Sequence, residues 1–167
     1  MKLVAFSQMT EECNCKFFDS NNSLAYYSLQ EKSGINCKVN VFNANNDLIS
    51  CITCNDSKEL KRNTYVIEKS NQKFVFSFDH SGDLVCEEHG LKLKNVFLDK
   101  WFKLTKNEKC FCSVRSFTFV KDWLSAKYTV ELINVDEIDL CVSLCIVKFM
   151  SIYEAAIFST THYFGKI

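Results

Sequence analysis

Ten cysteines in 167 residues are the densest source of chemistry in this sequence, and their spacing limits what they can do. Cys51-Ile52-Thr53-Cys54 has the two-residue gap of half a zinc site. Neither a second such pair nor a matching histidine pair accompanies it. Cys13 and Cys15 stand two apart, as do Cys110 and Cys112, so on a strand each pair shares one face and could supply the other half. The ligand set remains incomplete; no metal centre and no cofactor are expected, and packed thiols are the simpler reading. A cysteine nucleophile would need a histidine beside it, and the candidates are His80, His89 and His162. His80 falls in a turn and His89 follows two glutamates, both solvated positions. No nucleophile motif surrounds any cysteine, so no catalytic residue is assigned and a cysteine hydrolase is the remotest reading. Asp79-His80-Ser81-Gly82-Asp83 is shorter than a calcium loop of roughly twelve residues and reads as a hairpin turn.

Charge carries more information than the thiols. The chain is neutral, with 20 basic and 20 acidic side chains, which argues against a dedicated nucleic-acid binder. Yet residues 91–121 hold eight basic residues against two acidic, and residues 122–154 hold two against six. Within the basic stretch Lys92, Lys94, Lys100, Lys103 and Arg115 surround Trp101. Lysines beside an interfacial tryptophan suit an anionic lipid surface, each charge being worth about 1 kcal/mol close to the membrane. Lys92 and Lys94 alternate with Leu91 and Leu93 and should point outward together, whereas Lys100 and Lys103 have opposite parity on a strand. The plain alternative is a solvated face whose lysines discourage edge pairing.

The elements that must position these residues follow from composition and period. Hydrophobic content of 47% excludes disorder, and the length suits one domain over residues 1–167. With no proline, no strand position lacks its N–H donor. With only four glycines, turns must rest on Asn, Asp and Ser. Apolar–polar alternation, as in Cys37–Val41, Lys73–Phe78, Leu91–Lys94 and Lys127–Leu132, predicts an antiparallel meander over about residues 2–133. Polar clusters around Asn46, Asn71 and Asn107 recur without a strict period, a repeated hairpin habit rather than a solenoid.

After Asn134 the pattern changes. Asn134 or Asp136 can cap a helix over about residues 137–158, with residues 159–167 as a short tail. Leu140 to Val147 is apolar on every side except Ser143, which a surface helix would not be. As a membrane span the segment would place Lys148 near its middle, so a buried core helix is the better reading. A helix apolar all round fits inside a closed sheet, and closure would also remove exposed strand edges. The fold expected is a closed antiparallel β-barrel enclosing a C-terminal hydrophobic helix.

The segments Cys112–Trp123, Lys127–Leu132 and Asp136–Val147 resemble the tubby C-terminal-like superfamily, nearest its LURP-one-related and bacterial YxjI-like members, with the phospholipid scramblases close by. That resemblance implies repeated hairpins and a hydrophobic helix threading a closed barrel. It also implies phosphoinositide or other anionic phospholipid association in some relatives and lipid movement in scramblases. Lys148 within the helix and the tail after it depart from the pattern. The functional expectation is a non-enzymatic binding module for anionic phospholipid, using Lys92, Lys94, Lys100, Trp101, Lys103 and Arg115. The alternative is a scaffold for an unidentified protein partner; no nucleic-acid partner is expected. Met1 to Gln8 holds too short an apolar run for a secretory signal, so the expected compartment is cytoplasmic, with the protein peripheral at a membrane if it binds lipid.

Overall fold

The alternating runs form twelve strands: β1 (Lys2–Met9), β2 (Cys13–Phe18), β3 (Leu24–Glu31), β4 (Cys37–Asn43), β5 (Leu48–Asn55), β6 (Thr64–Lys69), β7 (Gln72–Phe78), β8 (Leu84–Cys86), β9 (Leu91–Asn95), β10 (Lys100–Lys106), β11 (Lys109–Phe119) and β12 (Ser125–Leu132). The structure, a computed structural model, describes residues 1–9, 13–31, 37–55, 63–95, 100–119 and 125–164. Each strand pairs antiparallel with the next, and β12 returns to β1 through Leu3 opposite Val130 and Ala5 opposite Tyr128. The sheet is thus a closed barrel, and among the described residues no edge strand is left to recruit another chain.

Three of the turns repeat one device. Asp19, Asn43 and Asp79 each accept, through one side-chain oxygen, the backbone N–H groups two and four residues ahead. The fourth residue of each turn, Asn22, Asn46 or Gly82, takes a positive φ of 61°, 66° or 81°. Two other hairpins turn on residue pairs with positive φ throughout, Ser70-Asn71 and Asn107-Glu108, the geometry that matches strand twist. Short polar side chains that bond their own backbone therefore do most of the work usually given to glycine.

Inward positions are mostly apolar, among them Leu3, Phe17, Val41, Ile52, Tyr65, Phe76, Leu93, Phe102, Val114 and Val130, all at most 1% exposed, with Ser28 and Ser50 as polar exceptions. They enclose the first part of α1 (Ile138–Phe164), in which every residue from Leu140 to Ser151 is buried. That enclosed stretch is about 18 Å long at 1.5 Å per residue. Phe149 fixes one side of the helix, stacked on Tyr128 with ring centres 4.5 Å apart and meeting Phe102 edge-on at 6.3 Å. Asn134 caps the short 3-10 turn Val135–Glu137 that leads into α1, accepting from the Asp136 N–H. The helix runs to Phe164, past the expected end at 158, because no glycine or proline interrupts it before Gly165. Residues 159–164 are therefore helical rather than a tail.

The two described positive-φ glycines have different reasons to be glycine. Gly82 has open space where a Cβ would go, and Asn occupies its place in the sister turns. At Gly90, by contrast, a Cβ would run into the side-chain oxygen of Asn107, whose N–H donates to the Gly90 carbonyl at 2.8 Å. Gly82→Asn should leave the urea midpoint nearly unchanged, whereas Gly90→Ala should lower stability by about 1–3 kcal/mol. Equal losses at the two positions would contradict this account.

Candidate functional site

The β8–β11 wall carries the basic residues singled out by sequence. Lys94 lies directly opposite Lys103 in register, and Lys103 in turn lies opposite Ser113 on β11. Lys94 is exposed and Lys103 half-buried, and neither makes an ion pair among the described residues. Lys100 is paired with Arg115, but the register shifts between Lys100 and Phe102. Strict alternation therefore does not carry across Trp101, and the parity argument that separated Lys100 from Lys103 loses its basis. The side chains of Lys100, Trp101 and Arg115 lie outside the described residues.

Lys92 is placed differently from the free cation expected. Its ammonium lies 2.6 Å from Asp79 Oδ2 and 3.2 Å from Asp83 Oδ2, so two carboxylates of the β7–β8 turn hold it. Asp83 Oδ1 also accepts the Asn95 N–H at 3.0 Å, tying the turn to the end of β9. The acidic turn that resembled a short calcium loop thus spends its carboxylates on Lys92 and on its own backbone. The Lys92 ammonium, aided by the Ser81 hydroxyl, holds the Asp79 carboxyl well below the usual carboxylate range. Lys148, 7% exposed on α1, feels the Asp83 charge too; burial nonetheless pushes its ammonium below the ordinary lysine range.

Polar groups are also arranged where α1 starts. Tyr26 donates from its hydroxyl to Asp139 Oδ1 at 3.0 Å, and Lys69 lies 3.4 Å from Asp139 Oδ2. Burial, reinforced by the Asp139 charge, pushes the Tyr26 phenol upward and keeps it protonated. Ser143 donates its single hydroxyl proton to the Asp139 carbonyl at 2.8 Å, so at the 2.7 Å Ser50–Ser143 contact Ser50 is the donor. Lys106 and Glu137, 2.8 Å apart, tie the same end of the helix to β10. Open grooves of about 420 Å³, between β5 and β6–β7, and about 360 Å³, beside Lys106 and Glu137, flank this mouth. Neither groove is lined by a histidine.

The cysteines resolve into two kinds. Cys51 is half-buried and Cys54 buried, because residues three apart on β5 point to opposite faces; they cannot chelate one ion. Cys54 instead pairs across strands with Cys37. Cys110 is half-buried and its thiol donates to the Cys112 carbonyl at 3.4 Å. Cys112, however, points inward from β11 to meet Cys141 and Cys145, one turn apart on α1. The three sulfurs lie within 4.8 Å of one another, and each residue is 0% exposed. Hydrogen bonds from the Cys141 and Cys145 thiols pull the Cys112 thiol below its ordinary range, while burial pushes both helix thiols up. Sequence reasoning paired Cys112 with Cys110 and missed this cluster, although Cys141-x-x-x-Cys145 on a helix already puts two thiols on one face. His89 lies against Phe74, with its Nε2 3.2 Å from the Lys73 carbonyl oxygen, and no described histidine joins the thiols. His162 has no described side chain.

Asn43 closes its turn with the same side-chain oxygen bonds as Asp79, so Asp79→Asn should keep the turn and remove only the charge facing Lys92. A depressed carboxyl stabilises the fold above its unfolded pKa of about 4 and loses that contribution as pH falls below it. Asp79→Asn should therefore lower the urea midpoint at pH 7, with the difference from wild type starting to narrow only as pH falls below about 4. A difference that stays constant from pH 7 to about pH 2 would assign the loss to turn geometry instead.

Among the described residues no helix is long and apolar enough to cross a membrane. No protein-family model, curated protein or solved structure matches the chain.

Proposed function

We propose that this protein is a non-enzymatic binding module whose β9–β10 wall meets anionic phospholipid headgroups. The observation that carries this reading is the Lys94–Lys103 pair, two like charges directly opposed across strands without an ion-pair partner among the described residues. Like charges so placed disfavour the sheet, and a phosphate between them relieves the repulsion. Backbone pairing of Lys100 with Arg115 continues the basic strip along β10 and β11. Lys92 contributes little to it, being neutralised by Asp79 and Asp83. The resemblance of residues 112–147 to tubby-like and LURP-one-related proteins points to the same ligand class, and with it to a peripheral position at a cytoplasmic membrane face.

A scaffold that binds another protein is the second reading, favoured by exposed apolar side chains near the helix mouth. Leu48 is 60% exposed, Ile133 69% and Val135 50%, at the start of β5 and beyond the end of β12. Antiparallel alternation puts those strand ends at the same rim.

Flotation with vesicles of neutral or anionic phospholipid separates the two. Wild-type protein should float with anionic vesicles at low salt and release as salt rises. Lys94→Glu with Lys103→Glu should weaken binding by about thirtyfold or more, taking about 1 kcal/mol for each lysine removed. Lys92→Gln should have a much smaller effect. Wild-type protein that ignores anionic vesicles at low salt removes the lipid reading and leaves the scaffold.

A further inference from the structure

A convergence of three thiols lies inside the barrel, on the inner face of the wall whose outer face is basic. Cys112 comes from β11 and Cys141 and Cys145 from α1, so wall and helix each contribute to one constellation. The three sulfurs lie within 4.8 Å of one another. Three sulfurs bound in a plane to one ion at about 2.3 Å would stand about 4 Å apart, inside the 4.8 Å limit that these sulfurs keep. Thiolates are soft ligands and select soft cations. Neighbouring wall positions are apolar and buried, since Cys112 pairs in register with Leu104 and Leu132. No described carboxylate or imidazole completes a tetrahedral set.

We propose that Cys112, Cys141 and Cys145 form a three-coordinate site for a soft d10 cation, Cu(I) above all, that pins the helix to the barrel wall. A three-sulfur set without a fourth ligand suits Cu(I) better than Zn(II), which takes four ligands in structural sites. Binding exchanges S–H bonds for metal–sulfur bonds, each thiol that ionises releasing its proton to solvent. No electron is transferred. Metal would then stabilise the folded chain by mass action, because the unfolded chain does not hold the three sulfurs together.

The test uses the full chain, reduced and kept anaerobic, titrated with Cu(I) against a chromophoric chelator and separately with Zn(II) and Co(II). One equivalent of Cu(I) should resist the chelator and raise the thermal midpoint. X-ray absorption on the wild-type complex should show three sulfur neighbours at about 2.2–2.3 Å. Cys112→Ser and Cys145→Ser should each abolish the tight equivalent, whereas Cys51→Ser should retain it. The wild-type sulfur count decides the matter even if a substituted chain fails to fold. Retention of Cu(I) by Cys112→Ser, fewer than three sulfurs in the wild-type complex, or no tight equivalent at all overturns the proposal. Tight four-coordinate Zn(II) or Co(II) binding with no preference for Cu(I) overturns it equally. So does a Cys112–Cys141 or Cys112–Cys145 disulfide that, once reduced, yields a chain taking up no metal.

Discussion

A helix with no polar side cannot rest on a surface, and that constraint organises this molecule. From Leu140 to Ser151 every side chain of α1 is buried, so the sheet must surround the helix rather than lie beneath it. Surrounding it requires the first strand to find the last, which β1 and β12 do along seven paired positions from Lys2 to Gln8. Closure in turn leaves the barrel without edges, and the short strand β8 needs no other protection. The inner face and the helix thus justify each other: without either, the other would expose a continuous apolar surface.

Such an interior leaves polar groups few places, and those at the helix start are placed with partners. Ser143 is satisfied by Ser50 and by the Asp139 carbonyl, and Asp139 by Tyr26 and Lys69, so one side of the helix start is hydrogen-bonded to β3, β5 and β6. The other side is held by packing, through Phe149 against Tyr128 and Phe102 on β12 and β10. Polar contacts have directional requirements and aromatic stacking has shape requirements, so together they specify one rotation of the helix in its sleeve. The three thiols sit on the packed side, where that rotation decides whether they meet.

Much of the architecture was legible because it depends on local periodicity. Alternation in Leu91–Lys94 and Lys127–Leu132 marked strands, and the polar runs at Asn43–Asp47 and Asp79–Asp83 marked turns whose side chains do bond their own backbone. The all-round apolar segment after Asn134 implied enclosure. What escaped was set by pairing between distant strands. The irregularity at Trp101 is visible only against β11, and Lys92 was read as free because nothing local reveals the Asp79 and Asp83 carboxylates folding back onto it. The thiol cluster escaped for the same reason: Cys112 and Cys145 are brought together by the threading of the helix, a property of the whole chain.

The order of elements along the chain has a kinetic consequence. Every strand precedes the segment that fills the space between them, and the closing seam joins the first strand to the twelfth. During synthesis the early hairpins can form, but their inward Phe17, Val41, Ile52 and Phe76 have nothing to pack against until α1 emerges. Contacts of such long sequence separation make folding slow, and an apolar half-sheet must wait in water meanwhile. The nascent chain therefore faces its greatest risk of association just before the helix arrives, and a chain ended near Asn134 would be trapped in that state.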